Sequence, residues 1–224
     1  MKRAKMKVII PHADDELWVI SMILNFVGDI GISVLTEGDF ISEGSYNVNK
    51  KNFELVCRKI CDYRENKKLG QYNVDYFAEY GDVDRDGISK DAQNRIFKSL
   101  ESSLKENEFE YLVYLSESIH PSHFQCRRIV EGLFRTPYLF NIKTILMGLS
   151  AQEYFFQTQD AIETAFCPIK NEDVPFIKEL HEIYANKCGD NFRWEMIESG
   201  FRSAGVKIKS EYAQGFVLRR TTIL

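Results

Sequence analysis

Residues 7–16 read Lys7-Val8-Ile9-Ile10-Pro11-His12-Ala13-Asp14-Asp15-Glu16. The β-branched run Val8-Ile9-Ile10 makes Lys7–Pro11 a short buried strand, because apolar residues on both faces suit a strand covered on both sides. Behind Pro11 the pattern changes period. Asp14 to Phe26 reads as a helix, with Leu17, Ile20, Ser21 and Leu24 on one face. Asp14, Asp15 and Glu16 fall in its first turn, where carboxylates suit the positive end of the helix dipole. A buried strand leading directly into a helix fits the opening of an α/β sheet. It also sets polar groups at the strand's carboxyl end, where open sheets bind their ligands.

The same alternation continues outward. Strands are predicted at Ile32–Thr36, Val74–Tyr80, Tyr111–Leu115 and Thr144–Leu149. Helices are predicted from Lys50 to Leu69, closed by Gly70, from Ser89 to Lys105 with Ser89 as cap, and from the His120-Pro121-Ser122-His123 segment to about Phe134. Strand-helix alternation to residue 150 implies an α/β fold: an open, mostly parallel sheet with right-handed crossovers and helices on both faces. Beyond it the pattern gives helices near Val174–Asn186 and Phe192–Phe201 within a loop-rich stretch. No repeat or linker interrupts the chain, so residues 1–224 are expected to form a single domain with an irregular helical C-terminal part.

Composition narrows the class. With 44% hydrophobic and 28% charged residues over 224 positions, disordered, collagen-like and low-complexity chains are excluded. The formal charge of −4 disfavours a nucleic-acid partner, which calls for a basic excess. No stretch approaches the roughly 18 apolar residues of a membrane helix, so no integral membrane association is expected. The basic lead Met1-Lys2-Arg3 meets an apolar run too short for a signal peptide. The five scattered cysteines fit a reducing compartment, so the expected location is cytoplasmic. Cys57 and Cys61, four apart on a helix, have poor zinc spacing and read as small half-buried thiols. Asp82, Asp84, Asp86 and Gly87 resemble the opening of an EF-hand loop, but position 12 is Gln93 where calcium needs Glu.

The chemistry lies with the histidines. Of the four, His12, His120 and His123 follow predicted strands, and His181 sits on a later helix, where it reads as half-exposed. In either common winding of an open sheet, strand one neighbours a strand from the second half across the reversal of order. Segments 12–16 and 118–123 would then meet in one crevice. His12 and Asp15, three apart across a turn, can face one point, and His123 would complete a His-His-Asp set. Three protein ligands with an open fourth position describe a catalytic zinc site, and zinc lowers the pKa of water to roughly 7. Asp14, beside ligand Asp15 but pointing elsewhere, is the candidate general base. His120 could steady an oxyanion or protonate a leaving amine. Taken singly, these residues also have plainer readings: first-turn carboxylates for the dipole, and His120 as a helix cap.

In these two boxes, Pro11-His12-Ala13-Asp14-Asp15-Glu16 and His120-Pro121-Ser122-His123, the sequence resembles the PIG-L/LmbE-like family of zinc-dependent N-acetylglucosaminyl de-N-acetylases. Weaker likenesses extend it: Thr36-Glu37-Gly38, Arg58 with Leu69-Gly70, Asp86-Gly87, the stretch Lys178–Asn186, and Tyr212-Ala213-Gln214-Gly215-Phe216. The resemblance implies a Rossmann-like fold and one zinc ion per chain on His12, Asp15 and His123. It implies Asp14 as base and His120 as the group polarising the tetrahedral intermediate. Arg58 and Asp86 are its candidates for substrate binding. It implies hydrolysis of the N-acetyl group of an amino sugar or sugar conjugate as small-molecule partner. The alternative is a non-catalytic sugar or nucleotide-binding module that keeps the metal site. A dinucleotide enzyme is disfavoured, since no G-x-G-x-x-G follows the first strand.

Several positions depart from the family pattern. Ala13 stands for a proline, Ser122 for the aspartate of the second box, Ser118 for an aspartate before it, and Gln214 for a glutamate near the end. None deletes a metal ligand, so an active site is expected. Trp18, where the family has glycine, reads as core. Glu153 to Phe156 could supply an aromatic wall for a sugar ring.

Overall fold

The interior strand β1, Lys5–Ile10, alternates between two cores. Met6, Val8 and Ile10 enter one and Ile9 the other, as the two-residue period of a strand requires. The computed structural model describes residues 3–38, 42–84, 87–115, 121–134, 141–149, 162–188 and 193–221.

After β1 come a 3₁₀ turn at Asp15–Val19, α1 (Ile20–Asn25), β2 (Asp29–Val34), α2 (Glu43–Asn66) and β3 (Tyr72–Phe77). A small antiparallel pair follows, β4 (Val83–Asp84) with β5 (Gly87–Ile88). Then come α3 (Lys90–Asn107), β6 (Tyr111–Leu115), α4 (Pro121–Leu133) and β7 (Thr144–Gly148). The chain continues through β8 (Ala165–Ile169), a 3₁₀ turn at Asn171–Asp173, α5 (Val174–Cys188), α6 (Trp194–Lys207) and β9 (Tyr212–Thr221). The seven-stranded sheet runs β3-β2-β1-β6-β7-β9-β8. The first five of these are mutually parallel, and β9 joins antiparallel to both β7 and β8.

Helices cover both faces. Phe53, Val56 and Ile60 of α2 share one core with Ile177 and Leu180 of α5 and with Trp194 and Phe201 of α6. Ile96 and Leu100 of α3 share the other with Cys126, Ile129 and Val130 of α4. Trp18 is core as expected, at 6% exposure. Ser89 caps α3 by accepting from the Ala92 N–H. α2 starts at Glu43 rather than Lys50, because Ser42 caps it through the Ser45 N–H while the polar stretch Glu43–Asn49 offers no apolar stripe to read. It ends at Asn66, so Gly70 is not its cap. Gly70 instead lies so close to the next turn that a Cβ would sit 2.2 Å from the Gly28 carbonyl oxygen.

The C-terminal part adds strands to the predicted helices. Pro168 interrupts β8 as a donor, and Gln214 and Gly215 break the apolar run of β9, which hides both from a pattern reading. His181 is not half-exposed. It is 3% exposed, on the buried stripe of α5 with Ile177, Leu180 and Tyr184, and its ring lies 5.9 Å from that of Trp194.

Two buried cations have structural partners. Arg64 on α2 donates to the carbonyls of Ile23, Phe26 and Gly28, satisfying the open end of α1. Lys7 of β1 reaches Asp75 at 2.6 Å, although β2 lies between β1 and β3. Gly31, the β2 residue paired with Lys7, makes this possible, since a Cβ there would lie 2.1 Å from the Asp75 carboxylate.

Candidate metal centre

Strand β6 pairs directly with β1, so the segments leaving their carboxyl ends are neighbours. The first segment turns at once. Asp15 N–H donates to the His12 carbonyl at 3.3 Å, and Asp14, the third residue of this turn, has φ 108° and ψ −24°. A positive φ at that position marks a type II-like turn, and a short polar side chain is among the few that tolerate it. The turn folds Asp15 back toward His12, whose backbone N–H donates to Asp15 Oδ2 at 2.9 Å. From the second segment, Pro121 starts α4 with a fixed φ suited to a first helical position. His123 follows two residues on, 4% exposed.

The three predicted ligands converge. His12 Nδ1 lies 3.2 Å from His123 Nε2 and 3.3 Å from Asp15 Oδ2, and His123 Nε2 lies 3.4 Å from Asp15 Oδ2. The near-equilateral triangle fits a metal. Donors about 2.0–2.1 Å from one tetrahedral cation are separated by about 3.3 Å, the face edge of that tetrahedron. Two imidazoles and one carboxylate are also the mixed nitrogen and oxygen set that suits zinc. The rings stand edge to face, 4.6 Å between centroids. Burial alone would raise the Asp15 pKa. The adjacent His123 and His12, with the His12 backbone N–H, overcome it and hold the carboxylate at about 2. Asp15 is therefore anionic at neutral pH.

A surrounding set of hydrogen bonds fixes this turn. His12 Nε2, the nitrogen away from the triangle, lies 2.9 Å from Ser122 Oγ. Glu16 is fully buried; one oxygen accepts from the Asp14 N–H at 2.9 Å and the other from Tyr184 Oη at 2.5 Å. Burial pushes the Glu16 carboxyl up to about 7 against the pull of the Tyr184 bond, with Asp14's charge adding to the rise. From β9, Gln214 reaches the same turn. Its Nε2 donates to the Leu17 carbonyl and its Oε1 accepts from the Ser21 N–H, each at 2.7 Å. These are the two groups an uninterrupted helix would join to each other. The inserted amide explains why the predicted helix from Asp14 to Phe26 is split into a 3₁₀ turn and the short α1.

The remaining site expectations fall as follows. Asp14 is half-buried in the turn between His12 and Asp15. Arg58 is exposed on α2, in the part of that helix running away from the carboxyl edge of the sheet. His120, Ser118, Asp86 and Glu153 to Phe156 lie outside the described residues. In the sequence Ser122 reads only as a departure from a motif, and its hydrogen bond is not legible there. Tyr184 and Gln214 are visible only as weak motif positions. A cavity of about 950 Å³ between α4, β7 and β9 is lined by Tyr114, Arg128, Glu131, Arg219 and Arg220. Its described lining residues include no histidine or cysteine, and Glu131 is already bound by Arg127 and Tyr114.

No family model and no curated protein matches the sequence. Solved structures do share the fold. The chain is similar to the conserved protein TT1542 from Thermus thermophilus, with TM-score 0.65 and 15% identity over 98% of this chain and 96% of that one. It is also similar to N,N'-diacetylchitobiose deacetylase from Pyrococcus horikoshii complexed with its inhibitor MPG. There the TM-score is 0.68 and identity 14%, over 96% of this chain and 84% of that one. At these identities the likeness is one of fold. No described helix is long and apolar enough to cross a membrane.

Proposed function

We propose that this chain is a metal-dependent amidohydrolase of the PIG-L/LmbE-like kind, which removes an acetyl or similar acyl group from the nitrogen of an amino sugar or sugar conjugate. The observation that carries the reading is the triangle of His12 Nδ1, Asp15 Oδ2 and His123 Nε2, with edges of 3.2–3.4 Å. The two sequence boxes and the fold shared with a chitobiose deacetylase support it. Zinc is the cation proposed for the triangle. When bound, it supplies Lewis acidity, lowering the pKa of the hydrolytic water and polarising the acyl oxygen.

The chain's own residues do the rest. His12, Asp15 and His123 would hold the cation. Asp14, kept beside Asp15 by the turn, takes the proton of the attacking water and returns it to the departing nitrogen. His120 stabilises the negative charge that develops on the acyl oxygen. The products are a carboxylate and a free amine.

The test is release of acetate from a panel of N-acetylated amino sugars and conjugates with zinc supplied. Turnover that a chelator stops, and that His123→Ala abolishes, supports the reading. A zinc-loaded chain that binds these compounds without releasing acetate would mark it as a binding module.

A further inference from the structure

The triangle uses only one nitrogen of His12. The other, Nε2, faces Ser122 Oγ at 2.9 Å. Ser122 is fully buried at the second position of α4, one residue before His123. A serine there is beyond the capping position, and its hydroxyl is turned to an imidazole carried by the other segment. From this geometry we infer that Ser122 is a positioning residue for the metal centre, which fixes the ring of His12 so that Nδ1 presents its lone pair to the cation. The inference rests on the proposed metal site and deepens it.

The physical reason is the inventory of imidazole. A neutral ring carries one N–H and one lone pair, so whichever nitrogen bears hydrogen cannot bind a cation. With the Ser122 hydroxyl accepting from Nε2–H, the lone pair lies on Nδ1, the nitrogen in the triangle. Metal-bound histidines nearly always have such an outer partner, which also raises ligand basicity. Carboxylates are the stronger acceptors in this role. A hydroxyl is neutral and weaker, so Ser122 orients His12 while adding no charge to a triangle that, among the described residues, carries the one carboxylate of Asp15. Ser122 also couples the two halves of the site. It sits in the peptide next to His123 and touches His12, so both imidazoles are set by one turn of α4.

The test is cation affinity rather than turnover. Zinc binding to the purified full chain is measured by competition with a chromophoric chelator, and the absorption spectrum of the Co²⁺-loaded chain reports ligand geometry. Melting without metal reports folding. Ser122→Ala is expected to fold, to bind zinc about 10–100-fold more weakly and to shift the Co²⁺ spectrum. Ser122→Asp, which restores an acceptor at Nε2, is expected to bind at least as tightly as the parent. An Ala variant with the affinity and spectrum of the parent would overturn the role of Ser122 while the centre stands. A parent that binds no zinc, and so matches His123→Ala, would overturn the centre and this inference with it.

Discussion

Tyr184 Oη donates a 2.5 Å hydrogen bond to Glu16 Oε1, joining α5 to the turn that follows β1 across 168 residues of sequence. The second oxygen of Glu16 accepts from the Asp14 N–H at 2.9 Å, so the bond reaches the residue with φ 108°. A non-glycine residue in that conformation persists only where its surroundings over-determine it. Glu16 and Tyr184 supply that constraint, and both are fully buried.

Tyr184→Phe should therefore destabilise the chain. The variant leaves a buried carboxylate oxygen without its donor, at a cost of about 1–3 kcal/mol. Urea unfolding measures it. Turnover should fall more than affinity for zinc, because the strut ends on Asp14 rather than on a ligand. A variant with parental stability and turnover would show that Glu16 holds the turn unaided.

Gln214→Glu tests the second strut. The amide donates to Leu17 and accepts from Ser21, and a carboxylate can do only the second. Its other oxygen would face the Leu17 carbonyl, acceptor against acceptor, in a buried position. The variant's carboxyl would be raised in the folded state, so the penalty should be absent at low pH and grow as pH rises from about 4.3. Unfolding free energies of parent and variant across this range would show the divergence. Parallel curves would refute it.

Both struts explain how far the sequence could be read. The β1 run Val8-Ile9-Ile10 and the strand Tyr111–Leu115 announce a parallel sheet because period and burial are local properties. The pairing of β1 with β6 then follows from the winding of open sheets, and it brings His12 to His123. What escapes such a reading depends on partners far along the chain. The buried hydroxyl of Ser122 looks like a missing aspartate until His12 is seen beside it. The burial of His181 depends on α2 and on Trp194 of α6, both remote in sequence from α5. β9 is hidden because Gln214, the residue that breaks its apolar pattern, is the one bonded to the backbone of Leu17 and Ser21, behind the site.

Metal removal should be visible in stability. A cation that binds only the folded triangle adds about 2.7 kcal/mol at a hundredfold excess over Kd. For a chain of this size that is a rise in Tm of about 5–11 °C. Zinc should produce it in the parent, a chelator should reverse it, and His123→Ala should show none. An equal rise in His123→Ala would place the cation elsewhere.

Lys7 gives a pH prediction remote from the site. Its ammonium is fully buried, and burial lowers its pKa from 10.5, with Asp75 acting in the opposite sense. Between the lowered value and 10.5 the unfolded chain holds more protons than the folded one, so this residue's contribution to stability rises with pH across that window. Below the window both states are protonated and the burial cost is present in full. Lys7→Met removes the slope. It leaves Asp75, whose side chain is 25% exposed and can be solvated, so the variant should fold. Its advantage over the parent, or the parent's over it, should shift in the parent's favour as pH rises toward 10.5. A constant difference in unfolding free energy would mean that Lys7 titrates alike in both states.

Asp14 separates backbone from base. Its side chain is assigned proton transfer, while its backbone holds the left-handed corner that brings Asp15 to His12. Asparagine tolerates that corner almost as well as aspartate and cannot take a proton. Glycine adopts it without strain and offers no side chain. Asp14→Asn and Asp14→Gly should therefore both fold and keep parental zinc affinity, with the glycine variant at least as stable as the parent. Both should lose about 10²–10⁴-fold in turnover, the usual share of a positioned base. Loss of zinc in the asparagine variant would instead make Asp14 part of the ligand set. Full turnover in either variant would assign the proton transfer to another group.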